Sequence, residues 1–427
     1  MTRRKRTILF FTLTVLFFLL APAVIFYSQG YRLDWDNKKI TQTGGLFIKA
    51  EPKQVEIYIN GELAKKTDFL FGSALINNLL PKEYKVRVEK AGYFTWEKTL
   101  EIKEKEVTEA KSIVLFPSNM DFLALSKNIE DFWFSPDGKI AALKEKNAQS
   151  NNWSLTLYDF PKKIKSALLN EKTISQAGAD LLNLEFSKNT PEIFFDVGTK
   201  EQIKSFSLRL DKTLALPTKR EKPATPANVI AYQETNNSVY YLDKSGYVFK
   251  SDSSFTPKEQ LNKMAFPVQQ ETEYKLRILQ NSIFMQVNNK LYLFNPDSGT
   301  FETFFGPLKD IKLSPDLKKG GYFSNNEIWV LFFSSISEQP SRKAQEKMFL
   351  TRFSENIGDV FWLNSDYIVF NIGDKIKVAE IDNRDKINIY NLKELKTNQV
   401  KIFFNEADKK LYVLAENNFY ASRNPIQ

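Results

Sequence analysis

The sequence predicts an all-β protein built from a single N-terminal transmembrane helix, a small β-sandwich and a propeller of roughly seven blades. Three observations predict it. Residues 8–27 are apolar apart from Thr12, Thr14 and Pro22. The next hundred residues alternate apolar and polar side chains around tight turns. The remainder repeats one strand–turn–strand unit at a spacing near 45 residues.

Arg3, Arg4, Lys5 and Arg6 precede the apolar run. Twenty helical residues at 1.5 Å each span roughly 30 Å, the thickness of a bilayer core. Basic residues are retained on the cytoplasmic side, so residues 1–6 read as a cytoplasmic tip and 7–28 as a signal-anchor helix. Everything beyond is then extracytoplasmic, a single-pass topology at the cell membrane. A cleaved secretory signal is the competing reading, because Ala21-Pro22-Ala23 offers a small-residue cleavage site. The run continues through Val24, Ile25, Phe26 and Tyr27, which favours an uncleaved anchor.

Composition narrows the function. Hydrophobic residues make up 42% of the chain and charged residues 26%, an ordinary globular balance. The net charge is +9, but four positives sit in the tip and Lys alternates with Glu and Asp elsewhere. No basic stripe of the kind that tracks a phosphate backbone is present, so nucleic acid is not an expected partner. The sequence contains no Cys, hence no disulfide framework. It contains no His either, which removes Ser-His-Asp and Cys-His catalysis and imidazole zinc sites. No catalytic, cofactor-binding or metal-binding residue is assigned.

Residues 29–43 read as a stalk in which Asp34-Trp35-Asp36-Asn37 forms a turn. From Gly45 the pattern becomes period two: Val55, Ile57 and Ile59 oppose Glu56 and Tyr58, the signature of a half-buried strand. Asn60-Gly61 follows as a two-residue hairpin turn. Tyr84, Val86 and Val88 make a second strand. Gly92 turns the chain toward Trp96, Leu100 and Ile102, and a last strand includes Ile113 and Leu115. The expectation is an antiparallel sandwich over residues 44–116. The segments GLFIKAEPKQVEIYINGELAKKT from Gly45 and LPKEYKVRVEKAGYFTW from Leu80 resemble the PEGA domain. The namesake turn reads Pro52-Lys53-Gln54-Val55 here, and the usual Pro-Gly is Pro81-Lys82. The resemblance implies an extracytoplasmic β-sandwich of multidomain surface proteins and says nothing about chemistry.

Over residues 118–427 the repeated hairpin is anchored on Ser135, Ser187, Gln233, Gln280, Ser314, Asn364 and Asn405. Two further alternating segments usually follow each copy, as in SLTLYDF from Ser154. Four short strands per 45 residues is propeller-blade spacing. Phe134-Ser135-Pro136-Asp137-Gly138-Lys139 resembles the turn of TolB-like and WD-repeat propellers. Pro fixes φ, Asp bonds its own backbone and Gly takes positive φ, so the run reads as turn chemistry. Trp133 and Trp362 occupy equivalent positions in their repeats and are expected to pack between blades. The last copy lacks an outer strand, which DFLALSK from Asp121 could supply by closing the ring. The segments from Pro217 and Ser337 read as solvated loops.

The leading expectation is a non-catalytic binding or scaffold protein that presents its propeller to a protein or cell-wall glycan partner. A propeller glycosidase with paired carboxylates is the enzymatic alternative. An envelope-assembly docking factor is what the TolB-like resemblance implies.

Overall fold

The structure, a computed structural model, describes residues 3–426 apart from residue 36 and the stretches 147–151, 175–178, 199–201, 213–214, 221–224 and 236–237. Asp36 of the stalk turn and part of the loop from Pro217 therefore lie outside the described residues.

One helix runs Arg3–Ser28 and takes in the four basic residues as its first turn. Cations at a helix N-terminus oppose the macrodipole; nothing in helix stability asks for them there. The helix buries no side chain against the rest of the chain. Thr7, Thr12 and Thr14 return their hydroxyls to the carbonyls of Arg3, Ile8 and Phe10, which leaves those polar groups satisfied within the helix.

A hairpin, Tyr31–Asp34 with Lys39–Gln42, links the helix to the sandwich. Its turn is closed by Asn37, whose backbone N–H and side-chain amide both donate to the Asp34 carboxylate, at 3.1 and 2.9 Å.

The sandwich has a four-stranded sheet, in order Glu62–Lys66, Glu56–Ile59, Glu83–Glu89 and Trp96–Glu101, and a three-stranded one, Ser73–Leu79, Gly44–Glu51 and Val107–Val114. Asn60 and Gly61 both take positive φ, as the two-residue turn requires. The sandwich is not wholly antiparallel: Gly44–Glu51 pairs in parallel with Val107–Val114. The intervening chain crosses to the other sheet and back, so the last strand returns in the direction of the first. Leu46, Ile48, Ile57, Val86, Val88 and Trp96 fill the core.

Seven four-stranded antiparallel sheets follow, the propeller blades. Blades 1 to 6 begin at Ile129, Asp180, Val229, Tyr274, Asp310 and Ile357. Blade 7 combines Lys401–Asn405, Lys410–Ala415 and Asn418–Ser422 with Phe122–Lys127 from the start of the domain. The first and last strands of the propeller thus share one sheet, which removes an exposed edge. Each predicted hairpin falls between the first and second strands of its blade. The join between sandwich and propeller is itself buried: Val114, Phe116 and Met120 pack with Tyr367, Val369 and Leu411 of blades 6 and 7.

Trp133 and Trp362 do pack between blades, but not equivalently. Trp133 lies against the core shared by blades 1 and 2, whereas Trp362 joins that of blades 5 and 6. The blade 1 turn closes from Ser135 to Ile140, and that of blade 6 from Leu363 to Tyr367. One residue fewer in the turn turns every preceding side chain to the other face. Phe361, facing blade 7, is the structural counterpart of Trp133.

Candidate functional site

Alternation along Trp96–Glu101 places Trp96, Lys98 and Leu100 on one buried face. A lysine cannot stay there without a partner, and blade 6 supplies it. The Lys98 Nζ lies 2.6 Å from Glu380 Oε1, with both side chains withdrawn from solvent. It also donates to the carbonyls of Asp382 at 2.8 Å, Arg384 at 3.0 Å and Lys386. Glu380 accepts from the Trp96 indole N–H at 2.8 Å and from the Asn388 backbone and amide N–H groups. Burial lifts the Glu380 carboxyl above its ordinary range, while the Lys98 charge and these hydrogen bonds draw it back.

Around this pair the sandwich meets the propeller along a polar seam. Arg384 donates to the Glu109 carbonyl at 2.8 Å. Gln339 brackets the same strand, accepting from Glu109 N and donating to the Val107 carbonyl. Gln339 belongs to the segment from Ser337, which reads in sequence as a solvated loop; the segment is largely exposed and also reaches the sandwich through Gln339. Phe94 stacks on Tyr390 at 5.5 Å, and the Tyr367 hydroxyl accepts from Val114 N at 3.0 Å.

Along the seam lies a half-open cavity of about 340 Å³, lined by Ser112 and Ile113 of the sandwich and by residues of blades 5 and 6. Five carboxylates line it: Asp316, Glu338, Asp366, Glu380 and Asp382. Burial pushes Asp382 upward, but the hydrogen bonds and charge of Arg384 outweigh it and leave the group below its usual range. Asp316 behaves likewise under Lys319 and Ser314. Burial raises Asp366, whose opposing partner is the Ser112 hydroxyl and not a salt-bridged cation. Asp316, Asp382 and Glu380, three of the five, are thus paired with their own cations.

A second, larger cavity of about 560 Å³ opens on blade 4. Phe266, Tyr274, Tyr292 and Phe301 form its apolar wall, and Asn288, Asn289 and Lys290 its polar edge. Phe266 meets Tyr292 and Phe301 edge-on at 5.1 and 5.5 Å, so the rings hold each other in place. Met264 stands exposed at the rim. Asn288 and Asn289 lie between the second and third strands of blade 4. The sandwich, in contrast, approaches the first-to-second strand turns of blades 5 and 6. The Asn288–Lys290 edge is at the opposite strand end from such turns, and no sandwich residue lines the groove.

The Ser-Pro-Asp-Gly run is a structural latch. Ser135 Oγ donates to Asp137 at 2.7 Å, Gly138 sits at φ +67°, and its carbonyl accepts from Asn405 of blade 7 at 2.8 Å. In blade 5 the glycine position is held by Leu317 at φ +59°. Among the described residues no three metal-ligating side chains gather. Neither cavity was read from the sequence. The one available signal was Lys98, sitting in register with Trp96 and Leu100.

Residues 43–114 match the PEGA domain. No curated protein matches the chain. Among solved structures, a chain of a mitotic checkpoint complex is similar at 11% identity and a TM-score of 0.44, over 72% of this chain and 92% of that one. The Raptor protein of Chaetomium thermophilum is similar at 10% identity and a TM-score of 0.43, over 71% of this chain and 29% of that one.

Proposed function

We propose that this is a membrane-anchored, extracytoplasmic binding protein without catalytic activity, which holds its propeller rigidly away from the bilayer to engage a protein or glycan partner of the cell envelope. The observation that carries this reading is the aromatic groove on blade 4, left open by a sandwich fixed elsewhere by Lys98 and Glu380. A wall of aromatic rings with amides at its edge suits either a peptide or a sugar ring. The glycosidase alternative needs paired carboxylates facing one substrate; of the five carboxylates lining the seam cavity, Asp316, Asp382 and Glu380 are held in ion pairs with Lys319, Arg384 and Lys98.

The experiment is photo-cross-linking in native cells with a light-activated residue at Asn289 or Met264, and at Lys188 as a control outside the groove. Capture of one defined partner from the two groove positions and not from Lys188 is the expected result. Capture of lipid alone, or equal capture from all three, contradicts it.

A further inference from the structure

We propose that the hairpin following the helix is an interfacial anchor, whose outer face rests in the headgroup layer of the bilayer that the helix enters. This rests on the membrane reading given above and adds an orientation to it. Alternation sorts the hairpin into two faces. Asp34 and Thr41 are buried against the sandwich; Thr41 bonds Glu104, and Arg32 donates to Asn78 at 3.1 Å. Arg32, Asp34 and Thr41 thus turn this face toward the sandwich.

The opposite face is apolar and open. Leu33 pairs across the hairpin with Ile40, and Trp35 extends the row. Trp35 is 79% exposed, Ile40 71% and Leu33 42%. Three large apolar groups left together on a short hairpin need a cover.

Continuity with the helix identifies that cover. Tyr31, on the same face, packs edge-on against Phe26 of the helix at 5.3 Å. The Arg32 guanidinium sits 3.5 Å over the Tyr27 ring and donates to the Tyr27 carbonyl at 2.8 Å, so helix and hairpin are locked at a defined angle. The outer face therefore continues the apolar surface of the helix end. Trp and Tyr favour the membrane interface, where an apolar ring and a polar edge are both accommodated. Lys38, exposed in the turn near Trp35, adds a cation at the depth of lipid phosphates.

The absence of cysteine allows a clean test on the full chain in nanodiscs of phosphatidylcholine and phosphatidylglycerol. A polarity-sensitive fluorophore is attached to Leu33→Cys or Ile40→Cys, to Phe18→Cys in the helix, and to Leu216→Cys as a solvent reference. Quenching lipids carry a nitroxide either near the headgroup or deep in the acyl chain. The expected result is a blue shift at positions 33 and 40 with intensity lost to the shallow quencher, while position 18 answers to the deep one. Quenching at 18 with positions 33 and 40 resembling 216 overturns the hairpin proposal and leaves the anchor standing. A blue shift without lipid quenching means protein covers the face, and also overturns it. No quenching at 18 removes the membrane reading, and this proposal with it.

Discussion

Lys98 of the sandwich and Glu380 of blade 6 form an ion pair 2.6 Å apart, wholly buried at the seam between two domains. Lys98 also meets seam carbonyls, and Glu380 accepts from Asn388 and the Trp96 indole. Such a pair adds little over an apolar replacement, yet breaking it from one side leaves a charge stranded out of water. Lys98→Met alone should therefore cost about 3–5 kcal/mol, and Lys98→Met with Glu380→Leu should recover most of that. A double-mutant cycle by chemical denaturation measures it; additive single effects would show the pair is not coupled.

Ring closure is the next expectation. Phe122–Lys127 pairs with Asn418–Ser422, joining the first and last strands of the propeller. Replacing residues 122–127 with a Gly-Ser segment of equal length keeps the connection but removes the strand. The propeller's melting temperature should fall sharply. An unchanged value would mean that the blade closes without it.

Two turns of the same design differ at one residue. A Cβ added at Gly138 would lie 2.0 Å from Asn405 Oδ1, at a positive φ. Gly138→Ala should destabilise by about 1–3 kcal/mol through that clash and the backbone strain. Leu317 already carries the positive φ in blade 5, so Leu317→Gly should be neutral or stabilising despite the entropy of glycine. Thermal melts of both variants check the opposite signs.

Asp366 sets a pH dependence. Its folded carboxyl is raised by burial above the ordinary 3.8, so the folded state holds its proton more tightly than the unfolded state does. The stability this contributes is complete below pH 3.8 and is lost as pH rises through the folded value. Asp359, raised by burial as well, shares that limb. Asp366→Asn should flatten part of the decline in melting temperature with rising pH. Parallel curves for variant and wild type would contradict the assignment.

The blades were legible because short apolar strands recur at a regular spacing, with Asn, Asp, Gly and Pro at the turns, although inner strands such as Tyr367–Ile372 are buried on both faces. Ser135 to Lys139 is the clearest instance. The parallel pairing of Gly44–Glu51 with Val107–Val114 was not legible, since a strand's sequence records which face is buried and not the direction of its neighbour. Lys98 marked a buried position, but its partner stands 282 residues later, and no local pattern connects them. The face reversal between Trp133 and Trp362 came from one residue of turn length. The groove on blade 4 gathers residues from separate strands and a long connection, so only the folded chain assembles it.

The central claim is that the helix crosses a bilayer once and delivers the propeller to the side opposite Arg3–Arg6. Single cysteines at Thr2 and Leu216, treated with a membrane-impermeant maleimide on intact cells or spheroplasts, test it directly. The account predicts that Leu216→Cys is labelled at once, and Thr2→Cys only after lysis. Labelling in the reverse order, or recovery of the full chain in the soluble fraction, would contradict it.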